Sequence, residues 1–413
     1  MNTNFYISKS LWCKKNSVNR LTRISGKIAG ISISVSIMVM ILAIFISDGF
    51  KMEIKEKAAG FSGELIINTP GFEMNSNQYP VEKDPKYLES IKDHQNVKHV
   101  QPFAYRSGLL KNGEIIQGVV LKGIDSSYDW SFFNSVLSEG RVIEFKDSLS
   151  SKEILMSTRL ATMLGYKPGD KVEMYFVDKT IRVKLYKLVG LFDAQLEDVD
   201  KSLVICDLKE VQRLNYWDEN QVSGIEIFLN DYKKIDETAV QIEDLIFKAD
   251  NNESTVIVSK ITDLFPHLFD WLRLLDFNVL VVLVLMLAVA GFNMVSGLLI
   301  MLFEKISTIG LFKSLGMRNS DIHKIFLYRA ASIVVKGILS GTAIAFILAF
   351  VQWKFRLITL DPANYFVKFV PIDFNFYKVA ILDLSSFIVI MLILLIPSVF
   401  ISNVSPEKTL RVK

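Results

Sequence analysis

From Phe277 to Phe303 the chain carries no charged residue over 27 positions. About 20 apolar residues in helical form cross the roughly 30 Å of a bilayer's hydrocarbon, so this stretch predicts a membrane span with length to tilt. Three further runs obey the same rule. Ile28 to Ile46 is uncharged for 19 residues. A third span runs from Phe326 to Trp353, interrupted by Lys336 near the end from which a lysine can snorkel. A fourth runs from about Val379 to Phe400, with Asp383 near its outer end. Half of the 413 residues are hydrophobic, yet 22% are charged. That mixture fits a few spanning helices together with one sizeable water-soluble domain.

Residues 1–27 hold Lys9, Lys14, Lys15, Arg20, Arg23 and Lys27 and no acid. Such a flank stays in the cytoplasm. The charged lead is long and no small-x-small site precedes Ser47-Asp48, which argues for an anchor and against a cleaved signal. Four spans then put both termini on the cytoplasmic side of a multi-pass membrane protein. The expected division is a cytoplasmic segment 1–27, span 28–47, an outer domain 48–272, span 273–303, a cytoplasmic loop 304–325, span 326–353, a short outer loop 354–377, span 378–402 and a tail 403–413. The fold class expected is an α-helical membrane protein with four transmembrane helices and a large α+β extracytoplasmic domain between the first and second. The net charge of +3 gives no reason to invoke nucleic acid. Cys13 and Cys206 fall on opposite sides of the membrane, so no intrachain disulfide is expected.

Within the outer domain, Asp48 to Ala59 reads as a helix continuing out of the first span. Asn112-Gly113 between Leu110 and Ile115-Ile116 is a hairpin signal, because both turn positions tolerate positive φ. Ser157 to Leu164 reads as helix, Lys167 to Asp170 as turn, and Val172 to Phe176 and Ile181 to Leu191 as strands. Ser202 to Ile205, Gly224 to Leu229 and Thr255 to Val258 are further strands, with helices at Leu208 to Leu214 and Asp231 to Phe247. About 225 residues of this kind can hold a core, expected as two subdomains.

The chain shows no catalytic engine. G-x-x-x-x-G-K followed by Ser or Thr is absent; Gly165 to Lys171 lacks its spacing and reads as a turn. There is no G-x-S-x-G, H-E-x-x-H or C-x-x-C, and His94 and His99, five apart, do not align on a helix face. No catalytic residue and no metal ligand is therefore expected. Asp383 reads as hydrated or paired with Lys378. Gly26, Gly30 and Ser34 share one face of the first span, and Gly337 and Gly341 one face of the third, which suits close packing within a bundle. Met38, Met40, Phe45 and Phe50 are candidate contacts for an apolar substrate, with lipid-facing filler as the plainer alternative.

The loop 304–325 is more specific. Ile306, Ile309, Phe312 and Leu315 recur every third residue and so are expected to gather on a single slanting stripe of a helix, Lys313 lies beside them, and Gly316 is a natural helix stop. Asn319 or Ser320 can cap the next helix, with Asp321 in its first turn. An interfacial helix in the headgroups is one reading; a rigid knob that fits a pocket on a cytoplasmic partner is the other.

Here the chain resembles the FtsX-like permeases of ABC systems. Glu304, Lys305, Ile309, Gly310, Leu311, Lys313, Ser314, Leu315, Gly316 and Met317 match the family's loop, while Thr308 stands where an acid is usual and Phe312 also departs. Ser47 to Leu65 with its G-F-x-G, Gly291 to Met301, Leu164-Gly165 with Gly169-Asp170-Lys171, Leu188 to Phe192 and the Pro406, Leu410, Arg411 tail are similar to the lipoprotein-releasing, Lol-type subunits. The resemblance implies a non-catalytic subunit that binds no cofactor itself. ATP and Mg would sit on a separate cytoplasmic ATPase docked on Glu304, Lys305, Ile306, Ile309, Gly310, Phe312, Lys313, Leu315, Gly316 and Met317. It further implies a second permease subunit, identical or different, a lipoprotein substrate drawn from the membrane, and for some members a periplasmic carrier. Carrier-recruiting members extend a hook between two outer-domain strands, where this chain offers only Val177 to Val183. Export of peptides or small molecules, or force transmission to a cell-wall hydrolase, are the alternative functions.

Overall fold

The computed structural model describes residues 20–72, 79–145, 150–178, 180–249 and 255–398. Lys9, Lys14, Lys15 and Cys13, the fourth predicted span beyond residue 398, and the tail with Pro406, Leu410 and Arg411 lie outside them. The chain divides into two compact units. One takes the described residues up to Met52, Trp271–Thr359 and those from Phe369 onward; the other is Glu53–Asp270 with Leu360–Lys368.

Among the described residues, four helices are long and apolar enough to cross a membrane. They run Arg20–Ser62, Pro266–Glu304, Asn319–Phe355 and Phe376–Ile393. The second of them is unbroken from Pro266 to Glu304: no proline follows Pro266 within it, and its two glycines, Gly291 and Gly297, stay helical. In the first unit Ile33, Ile37, Met40, Ile41 and Phe45 pack with Met294, Leu298, Val334 and Ile390 in one buried cluster. The small residues decide how near the backbones come. A Cβ added to Gly337 would lie 2.8 Å from the Ile33 side chain, and one added to Gly341 would lie 2.5 Å from the Ser34 carbonyl oxygen. The stripes of the first and third helices thus face each other directly, as small residues permit where no aqueous driving force exists. Asn293 Nδ2 donates to Ser32 Oγ at 2.5 Å, joining the second helix to the first.

One sequence-based expectation is corrected. Lys378 does not pair with Asp383; its ammonium reaches both Asp48 oxygens at 2.6 and 2.7 Å. Asp383 accepts instead from Thr342 Oγ1 on the neighbouring helix at 3.0 Å. Five residues apart on a helix, the two side chains diverge by about 140°, too far to meet.

The second unit is α+β. Its strands are β1 (Leu65–Asn68), β2 (Val81–Glu82), β3 (Val97–Asn112), β4 (Ile115–Ile124), β5 (Leu137–Gly140) and β6 (Glu153–Ser157). Then follow β7 (Lys171–Val177), β8 (Ile181–Phe192), β9 (Leu203–Asp207), β10 (Gln221–Val222), β11 (Gly224–Leu229) and β12 (Ile257–Lys260). Ten of them form one sheet in the order β12-β1-β11-β3-β4-β9-β6-β8-β5, with β7 bridging β8 back to β3. The path β3-β4-β9-β6-β8-β7-β3 is therefore a closed circuit, which removes edges that would otherwise stay unpaired. Alternation of side chains sends Leu121, Met156, Met174 and Val204 into one buried cluster and Val120, Leu155 and Ile205 into another. Both clusters share the same sheet. The expected hairpin is present, with Asn112 opposite Ile115 and Gly113 at φ +59°.

The first helix ends in this unit at the G-F-x-G motif. Gly63 takes φ +67°, and its N–H closes on the Ala59 carbonyl at 2.7 Å. Gly60 leaves no room for a Cβ, which would stand 2.2 Å from the Phe132 ring. Phe61 sends its ring among Phe132, Phe133 and Phe192, with centroids 4.8, 5.5 and 5.8 Å away. Its carbonyl accepts from Lys122 Nζ at 2.5 Å, and the same ammonium meets Glu226 Oε1 at 2.5 Å, both side chains being fully buried. Gln101 Nε2 donates to the other Glu226 oxygen at 2.8 Å. Burial pulls the Lys122 ammonium below its ordinary range, and the Glu226 carboxylate pulls it back.

Asp200 is also buried; its Oδ1 accepts the Ala194 N–H at 3.1 Å. Burial pushes its carboxyl from 3.8 up to about 6.

Two predictions follow from this packing. Gly341→Val forces a branched side chain against the Ser34 carbonyl and lowers bundle stability by about 1–3 kcal/mol, read as a lower melting temperature of the detergent-solubilised protein. For Asp200, the carboxyl is protonated in folded and unfolded chains alike below about pH 4, and only the folded chain keeps the proton between about 4 and 6. Its contribution is therefore fully present at low pH and lost as pH rises through 6, a difference of roughly 3 kcal/mol. Asp200→Asn keeps an acceptor for Ala194, so melts of the two proteins between about pH 3.5 and 7.5 should show that loss in the parent chain alone.

Candidate coupling interface

The segment between the second and third long helices begins where the helix ends at Glu304. The Lys305 N–H is shared between the Met301 and Leu302 carbonyls at 3.3 and 3.1 Å, and a new helix, Ile306–Ser314, starts at once. Nine residues cannot hold a helix in water by themselves. This one is held by burying one face and by its stop. Gly316 is left-handed at φ +86°, its N–H meets the Lys313 carbonyl at 3.0 Å, and the Met317 N–H reaches the Phe312 carbonyl at 3.0 Å. That is the Schellman arrangement, with Met317 and Phe312 supplying its apolar partners.

The expected stripe is not one surface. Ile309 is 1% exposed, Gly310 is buried, and Phe312 and Met317 pack against the cluster that includes Met301, Ile322 and Phe326. Leu311 and Leu315 face outward, 51% and 76% exposed. Ile306, Lys305 and Lys313 are half-buried and Gly316 is exposed. Helix geometry explains the correction. Each step of three residues falls about 60° short of a full turn, so Leu315 lies roughly 180° around from Ile306. The 3-3-3 pattern drifts across the helix, whereas the four-residue step from Leu311 to Leu315 keeps one face. That step was in the sequence and marks the outward ridge.

Glu304 completes the segment. Both of its carboxylate oxygens are enclosed and have no hydrogen-bond partner among the described residues. An enclosed carboxylate without a donor is costly. The next helix starts after Arg318, which gives no side-chain cap, so neither Asn319 nor Ser320 holds the capping position expected of it. Asp321 stands in the first turn.

The candidate substrate contacts are enclosed by this chain itself. Met40 and Phe45 are fully buried, Met38 is half-buried against the same cluster, and Phe45 meets the Phe346 and Phe374 rings at 5.3 and 5.4 Å. Phe50, buried as well, lies 5.8 Å from the Trp271 ring. The exposed large hydrophobics of the first helix are Ile28, Ile31, Val35 and Met52, the first three spaced three and four apart. Composition could not separate these two faces, because both are apolar. His94, for its part, spends both ring nitrogens on Gln241 Oε1 at 2.8 Å and on the Asn96 N–H at 3.2 Å.

Residues 280–406 match the FtsX-like permease C-terminal family, and residues 28–245 match the MacB-like periplasmic core domain. The chain is similar to the lipoprotein-releasing system transmembrane protein LolC of Neisseria meningitidis serogroup B, at 25% identity over 93% of this chain and 92% of that one. It is similar to the LolC of Xylella fastidiosa at 24% identity with the same coverage. The corresponding LolE of Haemophilus influenzae is 22% identical over 99% of both chains.

The two holds on the short helix can be separated. Ile309→Ala empties a buried site and should cost about 2–4 kcal/mol of local stability. Gly316→Ala meets no neighbouring atom, so its cost is that of the left-handed backbone alone, about 1 kcal/mol. Limited proteolysis within residues 305–318 should quicken in both variants, and more in the first.

Proposed function

The chain belongs to the FtsX-like permease family and carries a MacB-like periplasmic core domain, and from that premise we propose that it is the membrane subunit of an ABC-type machine that extracts lipoproteins from the bacterial inner membrane. The observation that carries the reading is similarity along nearly the whole chain to relatives of matching length that bear the lipoprotein-releasing name. ATP and Mg belong to a separate cytoplasmic ATPase. The residues on which that ATPase docks are the outward Leu311 and Leu315 with Lys313 and Gly316, while Ile309, Phe312 and Met317 brace them from below. Glu304 supports the same reading, since a donor from a partner would satisfy its enclosed oxygens. Closure of the ATPase pair moves the braced helix as a rigid body, and the second and third long helices with it.

Two copies, or this chain with a related one, form the membrane core; Ile28, Ile31 and Val35 present an apolar ridge on which a second subunit or lipid can pack. Both termini and the 304–325 loop face the cytoplasm. Only residues 178–180 join β7 to β8, which supports a subunit without a carrier-recruiting hook.

The test is Leu315→Asp, which puts a charge on the outward ridge and leaves the buried face intact. ATPase co-purification should fall at least tenfold, a loss of about 1.4 kcal/mol or more. Undiminished co-purification would sink the docking site. Reconstitution with the ATPase should release lipidated substrate and leave an unlipidated one in place; equal release would favour general export.

A further inference from the structure

Lys57, in the last turns of the first helix, is 7% exposed. Its ammonium donates to Gln195 Oε1 at 2.8 Å and to the Phe366 carbonyl at 3.0 Å. Those two acceptors come from segments far apart in the sequence, yet they share an uncommon feature. Gln195 and Phe366 have φ of +58° and +61°, two of four non-glycine residues in the left-handed region among the described residues. A residue with a side chain is disfavoured there, a bulky aromatic one especially, and persists only where its surroundings over-determine it. Both residues are thus tied to one ammonium, Gln195 through its side-chain oxygen and Phe366 through its carbonyl.

The surroundings form a closed assembly. The Leu360 N–H meets the Lys368 carbonyl at 2.8 Å, so the ends of the 360–368 segment are joined. Within it the short helix Pro362–Tyr365 leads to Phe366, whose side chain packs against the aromatic cluster containing Phe61, Phe133 and Phe192. Lys368 pairs with Asp193 at 2.6 Å, a second bond between the same two segments. Beside Lys57 lies a cavity of about 380 Å³ lined by Glu53, Glu56, Asp193, Gln195 and Lys368 among others. Glu53, one helical turn earlier, already stands 3.5 Å from the ammonium. The lysine therefore has a second partner within reach and open space through which to turn toward it.

We propose that Lys57 is a clip that holds the 193–196 and 360–368 segments in one arrangement, so that the two are released together when its ammonium swings to Glu53. In sequence the clip joins the first long helix to the loop between the third and fourth. It is a two-position element of the kind that converts a small helix movement into release of a loop.

Hydrogen–deuterium exchange on the full chain in nanodiscs tests this. The reporters are the Asp193 N–H, bonded to the Val136 carbonyl, and the Leu360 and Phe366 N–H groups, bonded within the 360–368 segment. Lys57→Met keeps the length of the side chain and removes both charged hydrogen bonds. Exchange should rise at least about tenfold in both segments together; a rise in only one, or in neither, overturns the clip. Gln195→Met guards against a misfolded lysine variant. It deletes one acceptor and leaves Lys57 and the 360–368 residues untouched. The clip requires that exchange in 360–368 rise at least threefold in this variant, and an unchanged rate there counts against it.

Discussion

In the α+β unit one buried ammonium fastens the end of the first helix to the sheet. A helix ends with carbonyls that no later residue of the helix can satisfy, and the end of the first helix is enclosed by aromatic rings where water cannot serve. Lys122 supplies the donor from β4, and Glu226 on β11 supplies the countercharge. The strands carrying these two groups both pair with β3, so the lysine and the glutamate lock the register on either side of it. Taking both charges out of water is expensive. The arrangement stands because each group is matched in hydrogen bonds, with Gln101 completing the carboxylate's set. Its specificity is positional. A lysine one residue away on β4 would point through the opposite face of the sheet.

The membrane unit is governed by a different constraint, closeness of backbones. Gly337 and Gly341 on the third helix meet Gly30, Ile33 and Ser34 on the first with no space for a methyl group. The short helix Ile306–Ser314 is built on the same bundle through Ile309 and Phe312. What remains outside is a ridge two leucines long.

Much of this was legible in the sequence where local chemistry decides. Asn112-Gly113 marks a hairpin because few other residue pairs adopt its turn, and Gly316 marks a helix end for the same reason. The uncharged runs mark the long helices by length alone. Legibility fails where partners are distant or faces are chemically alike. β3 was not foreseen along most of its length, because Val97 to Ser107 alternates irregularly between polar and apolar. The closure of the sheet through β7 depends on pairing Leu109 with Tyr175, which no local pattern announces. Phe45 and Val35 look equivalent in composition, and only packing separates core from exterior. The left-handed turns at Gln195 and Phe366 carry no glycine to betray them.

The position of β1 in the sheet sets a timetable. Its four residues are all buried, yet Leu65 lies between Ile227 of β11 and Lys260 of β12. At synthesis rates of roughly 5–20 residues per second, the second neighbour follows the strand by some ten to forty seconds. Until β11 is made the apolar strand has neither edge filled, and from then until β12 follows one edge stays open, in a form prone to pair with other chains. The last strand to be made is thus the one that covers the first, and a nascent chain arrested before residue 257 would keep that edge open however well the rest had folded.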